Sequence, residues 1–194
     1  MRLTPENKKK ITKKIRAGAA ATFRADGFDA VNLDRLMKEA ELTRGSFYAH
    51  YKSKSALFAD VMRHEHPLLH MLQRRDGKSS DALLQQMLII FEGYLNPANL
   101  NEVFKGCSLA ALTGDTTRAD ADVRAGFGHA FKVICAEMAR EQQHAPESYA
   151  PPLVLASGAV GTAMAIEDSD QQAIILKGTW AAFQSMLPKP GQGE

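Results

Sequence analysis

Apolar residues return at every third and fourth position along nearly all of the chain and nowhere alternate with polar ones over a strand's length, so periodicity predicts an all-α protein of about nine helices. Thr4-Pro5-Glu6 is a start signal, with a capping hydroxyl, proline at the first helical position and an acid in the first turn. Ile11, Ile15, Ala19 and Phe23 form the buried stripe of the helix that follows, and Asp26-Gly27 ends it. Asn32 caps the next helix, whose inward residues are Leu33, Leu36, Met37 and Ala40. The period breaks at Glu41-Leu42. Thr43 then opens a short third helix with Phe47 and Tyr51 inward, leaving Arg44, Gly45, Tyr48 and Ala49 on the other side. A fourth helix begins at Ser53 or Lys54, buries Leu57, Phe58 and Val61, and is interrupted by Pro67.

Beyond Asp76-Gly77-Lys78-Ser79 about five more helices are expected. Ser80 to Leu95 is apolar on one side and stops at Asn96-Pro97-Ala98-Asn99. A short piece near Gly106 to Leu112 precedes a long helix from about Ala119 to Gln143, with Val123, Phe127, Phe131, Ile134 and Met138 as its stripe. The last two helices run from about Pro152 to Ile166 and from Asp170 to Met186, and residues 188–194 read as a loose tail. Small residues on the first of these (Ala156, Gly158, Ala159, Gly161, Ala163, Ala165) face bulk on the second (Ile174, Ile175, Trp180, Phe183, Met186), which suits close packing within one chain or between two.

Val31 to Phe58 thus has the layout of a helix-turn-helix. The outward residues of its second helix are those a groove-reading helix needs: a guanidinium fork, a phenol, and Gly and Ala to permit close approach. Charge changes the picture in the same direction. Residues 1–55 hold 13 Lys and Arg against 6 Asp and Glu, and residues 56–194 hold 11 against 16. A basic end on a mildly acidic body binds a phosphate polymer through that end. Taken alone, Lys8, Lys9, Lys10, Lys13, Lys14 and Arg16 equally describe a solvated helix face.

The run TRGSFYAHYKSKSALF, preceded by FRADGFDAVNLDRLMKEA, resembles the DNA-binding domain of the TetR family of bacterial transcriptional regulators over roughly the first third of the chain. The resemblance matches Phe23 and Gly27-Phe28 to the end of the family's first helix and its turn, and Thr43-Arg44-Gly45 to the start of its recognition helix. Tyr48 and His50 match its aromatic and histidine positions, and Lys54 the lysine opening its fourth helix. It implies base or phosphate contacts from Thr43 and Arg44 over a surface that Gly45 keeps open to the duplex, backbone contacts from Tyr48 and His50, and a phosphate contact from Lys54. Glu41 departs from the family pattern, which often has Gly in this turn; a left-handed Glu there costs up to about 1 kcal/mol relative to Gly.

A length of 194 residues, 45% of them hydrophobic, accommodates one small and one larger domain. The longest nearly apolar run, Leu153 to Ile166, is 14 residues and too short to span a bilayer. Cys107 and Cys135 have no metal spacing around them, which suits free thiols in a reducing cytoplasm. His64, His66 and His70 include a pair four apart, but Pro67 disturbs the helix between them and no carboxylate or cysteine completes a metal set. Cys107, after Lys105-Gly106, reads either as a thiol activated at a helix start or as an inert small hydrophobe. Phe91, Tyr94, Phe104, Cys107, Phe127 and Phe131 line a candidate cavity, although an aromatic stripe also describes plain core. No nucleophilic elbow, phosphate loop, dinucleotide fingerprint or zinc-enzyme motif occurs, so neither an enzyme nor a cofactor is expected.

The expected organisation is a three-helix, helix-turn-helix DNA-binding domain over 1–55, an effector-binding and dimerisation domain over 56–187, and the tail. The resemblance implies a cytoplasmic repressor that pairs with itself through the last two helices, about 152–186, and leaves its double-stranded operator when a small molecule binds. Two alternatives stay open: a DNA-binding regulator without an effector or switched at Cys107, and a small-molecule-binding helical protein without DNA function.

Overall fold

Side-chain caps start the first four helices, which is why their boundaries follow the sequence closely. In the computed structural model, which describes residues 4–188, these are α1 Pro5–Asp26, α2 Leu33–Glu39, α3 Arg44–Tyr48 and α4 Lys54–His64. Thr4 Oγ1 accepts from Asn7 N–H at 3.3 Å, Asn32 Oδ1 from Arg35 N–H at 2.9 Å, Thr43 Oγ1 from Ser46 N–H at 3.4 Å and Ser53 Oγ from Ala56 N–H at 3.0 Å. Gly27 ends α1 with φ 80°, a backbone few other residues adopt without strain, and returns its N–H to Phe23 O. Glu41 sits at φ 54°, the left-handed turn residue expected between α2 and α3. Pro67 stands at the first position of a new helix, and His64 closes α4 before it.

The described chain divides into two compact units. The first contains the described residues through Glu65 together with Ala111–Ala130. Its core joins Ile15, Phe23, Leu36, Met37, Phe47, Leu57, Phe58, Val61 and Met62, with Leu112 and Val123 contributed from the later segment. Phe23 meets Phe58 edge-on at 5.1 Å, and Phe28 stacks on Phe58 at 4.7 Å. From the later segment α9 (Thr113–Arg118) supplies Asp115, whose carboxylate accepts from Phe28 N–H at 3.1 Å, and α10 (Ala121–Met138) places Gly126 directly against Ala59 O of α4.

The second unit holds His66–Ala110 and the described residues from Phe131 onward. It contains α5 Pro67–Gln73, α6 Ser80–Tyr94, α7 Leu100–Gly106, most of α8 (Ser108–Ala111), the end of α10, α11 Ala150–Met164 and α12 Ser169–Met186. Short 3-10 turns cover Pro97–Asn99 and Pro146–Tyr149. Phe91 stacks on Phe183 at 4.4 Å, joining α6 to α12, and α11 pairs with α12. Buried Arg75 ties three helices together by donating to Leu72 O, Leu83 O and Glu137 O. A buried guanidinium is tolerable because carbonyl oxygens take up its donors.

Two expectations differ in detail. The piece expected near Gly106 to Leu112 is the short α8, flanked by two further short helices, α7 and α9, because Cys107 is extended (φ −111°, ψ 107°) and Leu112 leaves helical geometry. The long helix stops at Met138 rather than near Gln143, just ahead of Glu141 at φ 58°. These short pieces bring the described residues to twelve α-helical segments and no strand. Of the expected tail only Pro188 is described; the rest lies outside the described residues. No helix among the described residues is long and apolar enough to cross a membrane.

Candidate functional site

The surface of α3 is built from the inside out. Phe47 is fully buried and anchors the helix, and Tyr51 just beyond it donates its hydroxyl proton to Asp60 at 2.6 Å. Asp60 also faces Arg16 Nη1 at 3.4 Å, and Arg16 Nε donates to Glu65 at 2.7 Å. Burial, and then the Asp60 hydrogen bond, push the Tyr51 phenol well above its usual range, so it remains a donor. This network fixes α3 against α1 and α4 and leaves its other side open.

On that open side stand Thr43, Arg44, Gly45, Tyr48 and Ala49, all exposed. Tyr48 is 60% accessible, and a Cβ on Gly45 would meet nothing within 4 Å. Arg44 Nη1 lies 3.4 Å from Asp34 Oδ2 of α2, an exposed pair that holds the guanidinium only weakly. Lys8, Lys9, Lys10 and Lys13 are exposed along α1.

The other two residues expected here are turned into the protein. The Thr12 hydroxyl donates to Lys8 O at 2.9 Å and lies 2.8 Å from His50 Nδ1, so the imidazole proton sits on Nδ1 and Thr12 accepts it. That leaves His50 Nε2 covered and without a hydrogen-bond partner. Burial and the nearby Lys8 charge both lower the His50 pKa, so the ring is neutral. Lys54 Nζ donates to Phe28 O at 2.8 Å and Val31 O at 2.9 Å and lies 4.1 Å from the Phe28 ring centroid. It pins the α1–α2 connection and keeps one N–H in reserve.

A second site lies within the C-terminal unit. A cavity of about 370 Å³ is walled mainly by Leu68, Met71, Ile89, Ile90 and Val103, with Tyr94 and Cys107 at its polar end. Tyr94 donates its hydroxyl proton to Cys107 Sγ at 3.0 Å, and its own pKa is driven far up by burial and by the neighbouring sulfur. Tyr94 and Cys107 are the expected lining residues that this cavity brings together. Phe91 belongs to the core beside Phe183, Phe127 packs in the N-terminal unit's core, and Phe104 and Phe131 are half-buried away from the lining. The aromatic stripe misses the aliphatic walls; half-exposed Met71 and exposed Ile89, apolar residues facing away from their helices' cores, are the signal that marks them.

Cys135 is buried and its thiol is pushed up to about 11, chiefly by burial, which makes it inert at neutral pH. His64 lies 3.4 Å from Asp60, His66 is buried, and no cluster with metal-binding composition occurs among the described residues.

This is the geometry of a helix-turn-helix DNA-binding domain joined to a helical body with a cavity. Residues 15–61 match the family model described as bacterial regulatory proteins, tetR family. The N-terminal segment is thus that of the TetR family of regulators. It is 23% identical over 128 residues to the HTH-type transcriptional repressor NemR of Escherichia coli (strain K12); the match spans 63% of this chain and 62% of the relative. The fold is similar to that of the reduced form of E. coli NemR (TM-score 0.70, 20% identity, 94% of this chain and 99% of that one). It is similar also to a TetR-family transcriptional regulator from Agrobacterium tumefaciens (0.62, 15%, 91% and 98%) and to SmeT, repressor of the Stenotrophomonas maltophilia multidrug efflux pump SmeDEF (0.53, 20%, 92% and 96%). The family model and these relatives describe regulators, not enzymes.

Proposed function

We propose that the chain is a homodimeric transcriptional repressor that grips operator DNA with α3 and lets go when a small molecule occupies the cavity beside Cys107. The observation that carries this reading is the open side of α3: Thr43, Arg44, Gly45 and Tyr48 stand free over a helix anchored from behind by Phe47 and Tyr51. Arg44 reads base edges or the flanking phosphates, Thr43 and Tyr48 take backbone oxygens, and Gly45 admits the duplex. His50 and Lys54 sit at the margin, bracing the reading helix, with the spare Lys54 N–H directed to a phosphate. Arg44→Ala and Tyr48→Ala should weaken binding to a duplex selected from random sequences, the first also relaxing base preference. Unchanged binding by both variants overturns the reading in favour of a helical ligand-binding protein without DNA function.

Pairing through α11 and α12 is supported by apolar exposure on these helices. Ile174 is 71% and Val154 57% accessible, and nothing stands within 4 Å of a Cβ placed on Gly158 or Gly178. A twofold pair presents two reading helices to a palindromic site. Ile174→Glu should give monomers in sedimentation and a loss of operator binding.

A second reading, a switch at the Cys107 thiol, is favoured by its place on the cavity wall under the Tyr94 hydroxyl. Cys107→Ser separates the two: ligand-driven release that survives it supports reversible occupancy, and release that vanishes supports the thiol.

A further inference from the structure

The polar groups around the cavity form a lopsided set. Tyr94 spends its only proton on Cys107 Sγ. The Asn99 amide donates to Gly93 O at 3.0 Å, which orients its oxygen as the free acceptor. Glu102 is the one charged side chain in the lining; it is exposed at the rim and forms no ion pair among the described residues. No Lys, Arg or His lines the wall. The remainder, from Leu68 and Met71 to Ile89, Ile90 and Val103, is aliphatic. Such a space offers acceptors and one negative charge to a guest, and nothing to balance a buried anion.

We infer that this cavity selects apolar molecules carrying a hydrogen-bond donor or a single positive charge, an ammonium or hydroxyl directed at Glu102 and Asn99, and rejects carboxylates and phosphates of the same size. The inference rests on the effector reading above and narrows it to a ligand class. Aliphatic walls supply affinity that is roughly proportional to apolar area removed from water, whatever the head group. The head group then decides among ligands. An exposed carboxylate gives an ammonium a modest advantage, whereas an anion entering the same space loses its hydration without gaining a partner.

The test uses three compounds with one apolar body, phenylbutylamine, phenylbutanol and phenylbutanoate, titrated calorimetrically into the full-length protein. The amine should bind about fivefold tighter than the alcohol, as for an exposed ion pair. The carboxylate should bind at least about tenfold weaker than the alcohol, for want of a partner for its charge. Glu102→Gln should close the gap between amine and alcohol, chiefly by weakening the amine. Gly106→Leu should abolish binding of all three, because the space beside Gly106 is open and a larger side chain enters it without meeting protein atoms within 4 Å at its Cβ. Circular dichroism of that variant shows whether the helical fold is retained. Carboxylate binding as tight as amine binding, an amine preference that survives Glu102→Gln, or no binding of any of the three would overturn the inference. Duplex release is read separately. Charge-selective binding that leaves the duplex bound overturns the effector role and upholds the cavity's chemistry; release by all three compounds alike does the reverse.

Discussion

Single residues in the turn and at the edge of the reading helix carry measurable strain. Glu41 occupies a left-handed backbone (φ 54°) that costs a side-chain-bearing residue up to about 1 kcal/mol relative to glycine. Its 2.6 Å contact with Lys14 is with an exposed partner and offsets little of that. Glu41→Gly should therefore raise the urea midpoint by the equivalent of about 0.5–1 kcal/mol, and Glu41→Val should lower it. His50 gives a pH signature. Its folded-state pKa lies below the ordinary 6.5 through burial and the Lys8 charge, and His64 shifts the same way through burial and Arg16. The unfolded chain therefore binds more protons at these sites, and stability falls as the pH drops through 6.5 toward the lower folded values. His50→Gln should flatten that acid-side decline in urea midpoints measured across the range, retaining the part due to His64. A decline as steep as in the parent protein would show that His50 does not contribute to it.

Helices were legible where a side chain marks their ends, and opaque where the neighbour decides. Thr4, Asn32 and Thr43 each accept from a backbone N–H three residues on, so residue type placed those starts, and Ser53 and Ser79 cap α4 and α6 in the same way. The exposed side of α3 was likewise readable, since burial of Phe47 and Tyr51 dictates which residues remain outside. Periodicity shows that a stripe is buried but not against what. Hence Phe127 reads as a cavity residue on the helix stripe and in fact packs with the α1–α4 core. Lys54 reads as a surface phosphate ligand, yet its ammonium reaches two carbonyls far behind it in sequence. Lys54→Met should lower thermal stability, weaken duplex binding and flatten the salt slope by about one, the share of its spare N–H; an unchanged slope would mark a purely bracing role. The contact of α10 with α4 is equally invisible in one dimension. Gly126 has Ala59 O 2.8 Å from where a Cβ would lie, so Gly126→Val must separate the two helices. The expected cost is about 1–3 kcal/mol, in the range of overpacked cores, read from denaturant unfolding.

For the molecule as a whole, the decisive quantity is the free energy by which cavity and DNA surface know of each other. If occupancy of the cavity weakens duplex binding by some factor, thermodynamic linkage requires the duplex to weaken ligand binding by the same factor. Allosteric couplings commonly lie at about 5–150-fold, so both arms are measurable by ordinary titration. Phenylbutylamine affinity should be measured for the free protein and for protein saturated with its selected duplex, and duplex affinity with and without saturating amine. The two ratios should agree within error. This equality discriminates between the two switching readings, which the loss of DNA binding alone does not. A reversible guest in the space beside Cys107 obeys it. A reagent that modifies the thiol does not, because a covalent product has no dissociation equilibrium for the duplex to shift, and its effect outlasts dilution. Parent and Cys107→Ser proteins should give the same pair of ratios if occupancy is the switch. A thiol-reactive electrophile whose release of the duplex persists after dialysis in the parent protein and is lost in Cys107→Ser would assign the control of DNA binding to the sulfur instead.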